Sequence, residues 1–463
     1  MEPMAQPAEI RRTTRISTLE GAFAQVHFGL TSSGSIFLTK LAVLLQATPL
    51  HFGILSAIGQ LSQVFQLLGV ALTRRLTSRK RTVIRLLAVG RILPLAYIAL
   101  PFLLPPTTAL AVFLAVFFLN TSLQAVSGNL WVAWISDMIP LAGRGRFFAR
   151  RNQYLLVAGL LAGYLSSAFV DLFDPQPGAV IQSLRSLLPP TPLFAAANLP
   201  YAFAVVFGVG VALGFVSVAI LTRQPERPKP VETAPFWRLI AEPLRDGNFR
   251  RLLVYGLWWM LAIGIASPFW SPFMIKKLGM SLVNIQVYGT ISTIASLLAL
   301  RPWGTLIDRF GNRTAMRLAV VLGGLNPILW VLVTPQHYGL VYFEAATSGI
   351  MWSGAGIVAT NFVLAIAPDG KRQVYSAVFG AFSGLAMMAT MLLSGAALPE
   401  QPVFLGRWRL EPEQLLFGLG GLARWSTQIP LSWIREAQAR PVREVLASVG
   451  EQVRRRVRRP PVP

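Results

Sequence analysis

The sequence predicts an all-α integral membrane protein with twelve transmembrane helices in two six-helix, pseudo-repeated bundles. Three observations carry this. Twelve apolar stretches are each long enough to cross a bilayer, the segments between them alternate in basic charge, and marked residues recur at matching intervals in the two halves. A span needs about 20 mostly apolar residues to cross roughly 30 Å of hydrocarbon.

Composition fits. The 463 residues are 54% hydrophobic and only 13% charged, and mean hydropathy is +0.54. Soluble domains carry about 25% charged residues. Cysteine is absent, which excludes disulfides, thiolate metal sites and a cysteine nucleophile. The three histidines, His27, His51 and His337, are not spaced as zinc ligands, so no metal is expected. The polar, basic stretch Met1–Ser17 resembles no cleavable signal. A net charge of +23 raises nucleic-acid binding, but the basic residues lie between apolar runs rather than on one soluble face, so no nucleic-acid partner is expected.

Along the chain, a cytoplasmic segment 1–18 precedes spans at 19–46, 50–73, 82–104, 107–136, 149–173 and 198–222. A linker at 223–250, rich in proline and charge, carries an amphipathic piece around Phe236–Leu244. Spans follow at 251–276, 281–307, 314–334, 338–366, 373–398 and 413–434, then a basic tail at 435–463. The last span is the weakest by hydropathy, because it carries Glu413, Arg424 and several glycines. The bundles are thus expected at 19–222 and 251–434. In the loop 174–197, Ala179–Leu188 is expected to be a short surface helix.

Orientation follows from charge. Of 42 Lys and Arg, 32 fall in segments assigned to the inside and 5 in those assigned to the outside. Positive loops stay cytoplasmic, so both termini are expected in the cytoplasm, with the chain as a multi-pass protein of a bacterial cytoplasmic (inner) membrane.

The halves repeat by spacing. Gly128, Pro140, Arg144, Phe147 and Ala149 are matched in register by Gly356, Pro368, Arg372, Tyr375 and Ala377. Gly69, Arg81-Thr82, Arg85 and Pro94 parallel Gly304, Arg313-Thr314, Arg317 and Pro327, with a gap in the loop. Parallel six-span repeats are one way in which transporters surround a central cavity.

The loop Gly304-Thr-Leu-Ile-Asp308-Arg309-Phe-Gly311-Asn-Arg313 resembles the signature loop of the major facilitator superfamily, and the resemblance covers roughly residues 16–435. It implies a gate: Gly304 allowing helices to approach, Gly311 a sharp turn, and Asp308 with Arg309 and Arg313 a charge cluster that changes partners. The first-half copy, Gly69 to Arg74, Arg75 and Leu76, departs from it, with Thr73 where the family carries aspartate and Leu76 where it carries glycine. Asp137 with Arg144, and Arg372 in the second half, resemble a second gating loop. The stretches Trp131–Asn152 and Pro243–Phe269 resemble a bacterial branch of the superfamily. The fifth span lacks the Gly-Pro pair of drug–proton antiporters, and Pro225-Glu226-Arg227-Pro228 matches the sugar-porter motif only faintly.

Ionisable groups in spans are costly and are functional candidates by default. Glu20, His27 and Thr31 share a helical face, as do Gln124, Gly128 and Trp131, and Glu344, Ser348 and Trp352. The resemblance implies that spans one, four, seven and ten line the cavity. Glu20, His27, Gln124, Trp131, Glu344 and Trp352 are therefore the substrate or proton candidates. Each has a structural alternative. Glu20 could pair with Arg15 or another loop arginine, His27 could be a hydrogen-bonded core histidine, and Glu344 could pair with a neighbouring Arg or Lys. Lys40, Arg91 and Arg301 are further charged candidates, while Trp258, Trp259 and Trp352 could stack on a substrate or simply pack.

These features favour a secondary transporter working by alternating access and coupled to protons. Its partners would be a small-molecule substrate, protons and membrane lipids, with anionic lipid at the basic tail; it would act as a monomer without cofactor. No phosphate-cradling loop, catalytic set or metal constellation suggests an enzyme. The alternative is a transporter-like scaffold or assembly factor that binds lipids, pigments or proteins without turnover.

Overall fold

The computed structural model describes residues 7–175, 177–187, 192–227, 236–368, 371–399, 401–405, 408–436 and 443–445. The helices are α1 (Pro7–Thr31), α2 (Ile36–Leu44), α3 (Pro49–Arg75), α4 (Arg79–Ile92), α5 (Leu95–Leu103), α6 (Pro106–Met138), α7 (Leu141–Asp171), α8 (Ala179–Ser186) and α9 (Leu199–Leu221). After them come α10 (Phe236–Arg245), α11 (Gly247–Gly264), α12 (Trp270–Lys276), α13 (Leu282–Phe310), α14 (Asn312–Val331), α15 (Leu340–Ile366), α16 (Arg372–Ala397), α17 (Pro412–Ser426) and α18 (Gln428–Ser432). Every expected span is matched by one helix or a consecutive pair. The expected surface helix and the amphipathic piece of the linker are α8 and α10.

The paired helices mark breaks with local causes. Span one is interrupted between α1 and α2, where Gly34 has φ +85°, a conformation natural to glycine. Span three bends at Pro94 between α4 and α5. Span seven passes through a 3₁₀ turn, Ser267–Phe269, that includes Pro268. Among the described residues, 9 helical stretches have the length and apolarity to cross a membrane by composition alone. Spans one, two and twelve are not among them. In span twelve α17 has only 15 residues, and α1 begins in a charged segment.

Packing divides the chain into two compact units. The first comprises Met1–Trp237, Gly264–Val287 and Gly380–Glu400; the second comprises Arg238–Ile263, Tyr288–Phe379 and Gln401–Pro463.

In the first unit, α1 packs along α9 and α7, α3 along α6, and α4 along α6 and α9. Gly210 and Gly214 on α9 make the α1 contact close: a Cβ at Gly214 would stand 2.7 Å from His27 Nδ1 and 2.8 Å from Arg91 Cδ. Small residues at such positions let membrane helices approach. A core of Val83, Leu87, Leu130, Trp134, Ile135, Met138, Val218 and Leu221 sits where α4, α6 and α9 meet.

The same unit contains a second close seam. A Cβ on Gly53 of α3 would meet the Met391 carbonyl oxygen at 2.7 Å and the Gly395 Cα of α16 at 3.2 Å. Nearby, Asp171 at the end of α7 accepts from the Leu282 and Val283 amides at 3.0 and 2.8 Å, capping α13. Lys40 lies 3.5 Å from Asp171 and 2.8 Å from Asp174. The charge count assigns this end of the helices to the outside.

In the second unit, α14 packs along α15 and α17. Gln414 of α17 donates to the carbonyls of Trp330, Val331 and Val333, closing the end of α14. A two-stranded antiparallel hairpin, β1 (Val403–Leu405) with β2 (Trp408–Leu410), pairs Phe404 with Arg409; periodicity alone gave no sign of it.

Candidate functional site

Among the described residues, each unit holds a buried carboxylate facing arginine. In the first, α1 carries Glu20 and His27, which are 4% and 0% exposed, and α4 carries Arg91, 1% exposed. Arg151 of α7 reaches Glu20 at 3.6 Å and donates through Nε to the Ser17 carbonyl at 3.1 Å. Gly21 makes room for it, since a Cβ there would stand 2.9 Å from Arg151 Nε. Arg151 lies over the Trp131 ring at 4.5 Å and Arg91 over the Phe28 ring at 4.6 Å. Glu20, Phe28, Arg91, Trp131 and Arg151, with Gln124, Ser127 and Gly128 of α6, line a cavity of about 200 Å³.

Glu20 therefore does have an arginine partner; of the two alternatives, Arg15 or another loop arginine, it is the second, Arg151 at the start of span five. His27 turns the other way. Its Nδ1 bonds the Gly210 carbonyl at 2.9 Å and its Nε2 lies 3.0 Å from Thr31 Oγ1. The Gly210 carbonyl can only accept, so Nδ1 carries a proton, and both ring nitrogens are engaged. This is the core-histidine arrangement. Gln124 accepts from Ser32 at 3.1 Å and donates to Asn120 at 2.9 Å.

In the second unit, Glu344 of α15 is 4% exposed and accepts from the Tyr288 hydroxyl of α13 at 2.8 Å. Arg424 of α17, also 4% exposed, acts on Glu344 electrostatically and donates to the Gly323 carbonyl at 3.0 Å. The Tyr288 and Trp330 rings meet edge to face at 6.0 Å. Two turns further along α15, Trp352 is 42% exposed, with its ring edge on Trp259 at 6.5 Å. The arginine that depressed the hydropathy of the last span thus acts on a carboxylate of the tenth through its field.

The loops hold a second pair of matched features. Glu226, after α9, accepts from the Lys80 amide and the Ser78 hydroxyl, each at 2.8 Å, capping α4. Glu436, after α18, accepts from the Asn312 and Arg313 amides at 2.9 and 2.7 Å, capping α14. Carboxylates at a helix N-terminus satisfy orphan amides and favour the helix dipole. Lys80 and Asn312 occupy equivalent places in the repeat, each preceding its Arg-Thr pair.

The signature loop is arranged differently from expectation. Gly311 does take the turn, with φ +86°. A Cβ on Gly304 would meet nothing within 4 Å, whereas one on Gly69 would meet Asn129 Cβ at 2.7 Å. The close approach thus belongs to the first-half glycine. Asp308 and Arg309 are exposed, and Asp308 forms no ion pair among the described residues. Arg309 lies over the neighbouring Phe310 ring, and Arg313 donates to the Ile434 carbonyl at 3.1 Å. The side chains of Thr73 and Arg74 lie outside the described residues.

Asp137 pairs with Arg79 at 2.5 Å and not with Arg144. Arg144 instead donates to the Ser136 and Ile139 carbonyls at the end of α6, where terminal carbonyls lack intrahelical partners. Arg372, its counterpart in the repeat, is exposed at the start of α16. Arg301 is exposed and forms no ion pair among the described residues. The tail residues Arg454–Arg456, Arg458 and Arg459 lie outside the described residues. Among those described, no group of acidic or histidine side chains could hold a metal.

Arg151, Tyr288, Glu436 and Asp171 were not among the sequence candidates, and Arg424 and Glu226 were noted only for other reasons. Arg151 sits in a basic cluster at the mouth of a span, where charge alone predicts topology. The Gly21 contact that marks it is legible only in three dimensions.

A fold of two pseudo-repeated sets of broken apolar helices, with one buried carboxylate–arginine cluster in each packing unit, defines a polytopic carrier. The major facilitator superfamily model matches residues 21–391, and the chain belongs to that family: it is a membrane transporter. No curated protein sequence matches it significantly. Among solved structures, the nucleoside transporter NupG superposes with TM-score 0.62 at 13% identity, covering 92% of this chain and 98% of that one. An auto-inhibited POT family peptide transporter gives TM-score 0.63 at 12% identity, covering 94% and 99%. A bacterial metal transporter gives 0.58 at 10% identity, covering 92% and 98%. At such identities the likeness is one of fold.

Proposed function

We propose that the protein is a secondary active transporter that moves a small molecule across the cytoplasmic membrane by alternating access, coupled to protons at Glu344. The observation that carries this is the Tyr288–Glu344–Arg424 cluster. A carboxyl group buried in a span, with a hydroxyl 2.8 Å away and a guanidinium acting on it electrostatically, can take up and release a proton. Arg424 would hold the deprotonated form. Intramembrane carboxylates of this kind serve as proton relays. Glu20 and Arg151 are the first-half counterpart and contribute to the substrate cavity, while His27 holds α1 to α9. The signature loop acts as a gate whose Arg313 is held by its backbone amide on Glu436 and its guanidinium on the Ile434 carbonyl.

Relatives of this fold carry nucleosides, peptides and metals, so fold leaves the substrate class open. The test is reconstitution into liposomes that enclose a pH-reporting dye, challenged in turn with nucleosides, dipeptides, amino acids and organic acids. At least one class should drive lumen pH change by the native protein. Glu344→Gln should lose that change while still exchanging labelled substrate across the membrane. A Glu344→Gln protein that couples protons as the native one does would overturn the assignment.

A further inference from the structure

The cavity between α1, α4, α6 and α7 carries more positive than negative charge. Its charged lining is Glu20, Arg91 and Arg151. Arg151 is accounted for by Ser17, Glu20 and the Trp131 ring. Arg91 is not. It is 1% exposed, and its Nε and Nη1 have no hydrogen-bond partner. Its only described ring contact is with Phe28. The buried indole Nε1 of Trp131 likewise lacks a partner. A buried cation whose donors are unused is costly, and structures that keep one supply it with an anion.

We propose that this cavity binds a small organic anion, whose carboxylate is taken by Arg91 and the Trp131 indole N–H and whose flat body lies against Trp131 and Phe28. The assignment rests on the transport reading above and gives it a substrate class. Guanidinium favours carboxylate because its planar donors match the two oxygens. The flanking rings favour a planar body over a branched one. Glu20 faces Arg151 at 3.6 Å and acts on Arg91 through its field, so the two guanidiniums share one carboxylate and a net positive charge is left for the ligand. Gly128 borders the same space, and a Cβ there would meet nothing within 4 Å, so the room is real and can be filled from that side without a clash.

The test is thermal unfolding of the full-length protein in detergent, with potassium benzoate or neutral benzamide at matched ionic strength. A ligand of the folded state raises the midpoint in proportion to ln(1 + [L]/Kd). Benzoate should raise it and benzamide should not. Arg91→Gln should weaken benzoate by roughly ten- to a hundredfold, the loss of a charge-assisted bond. Gly128→Leu, which fills the cavity while leaving every charge in place, should abolish the benzoate shift in a protein that still unfolds cooperatively. Equal shifts with both probes, no shift with benzoate, or an undiminished shift in Gly128→Leu would each overturn the site. Glu344→Gln should keep the benzoate shift, so an anion site without proton coupling would remove the transport assignment and leave this one standing.

Discussion

His27 and Glu20 lie seven residues apart on one face of α1, yet the structure gives them different work. His27 is wedged between Gly210, Gly214 and Thr31, where it ties two helices together. His27→Ala should destabilise the protein by about 2–5 kcal/mol, through a lost hydrogen bond and a new cavity, and the pH profile of transport should keep its shape. Denaturation midpoints and liposome flux at several pH values check the two halves of that statement. A flattened pH profile with native stability would return His27 to the proton pathway. Glu20, whose Oε2 is buried without a hydrogen bond, is the residue of this pair that borders the cavity.

At the scale of elements, the repeat extends further than its glycines and prolines. Glu226 and Glu436 cap α4 and α14 at equivalent positions. Replacing either by Ala should cost about 1 kcal/mol, the usual worth of a cap. Amide exchange should quicken in the first turn of the affected helix only. Exchange unchanged at Lys80 and Arg81 in Glu226→Ala would refute the cap. The helices were legible in the sequence because apolar length and basic flanks are local properties. The α4 cap was not, because a carboxylate more than 140 positions away in the chain supplies it. The same holds for Arg151 at Gly21 and Arg424 near Glu344. Hydropathy treats an arginine in a span as a penalty, and only packing shows which carboxylate compensates it. Arg144 is the opposite case: its place in the repeat is plain from spacing, but its use, closing the end of α6, is set by backbone carbonyls that no motif records.

For the whole molecule, the absence of cysteine gives a ready background for topology. Single cysteines in place of Ser183 on the exposed face of α8 and of exposed Arg81 at the start of α4 lie on opposite sides in the charge-derived orientation. In intact cells, a membrane-impermeant maleimide should label Ser183→Cys and spare Arg81→Cys until the membrane is opened. Labelling of Arg81→Cys from outside would reverse the assignment of both termini.

The seam between Gly53 and Gly395 has a consequence of its own. Tightness and strength are different quantities. Two glycine backbones in contact leave no room for water between them, but the atoms that touch attract by dispersion alone, about 0.1–0.2 kcal/mol per pair. At these atoms such a joint is close but held by dispersion alone. It resembles a zip fastener more than a weld: its hold comes from fit along the two backbones and not from a bond at any one point.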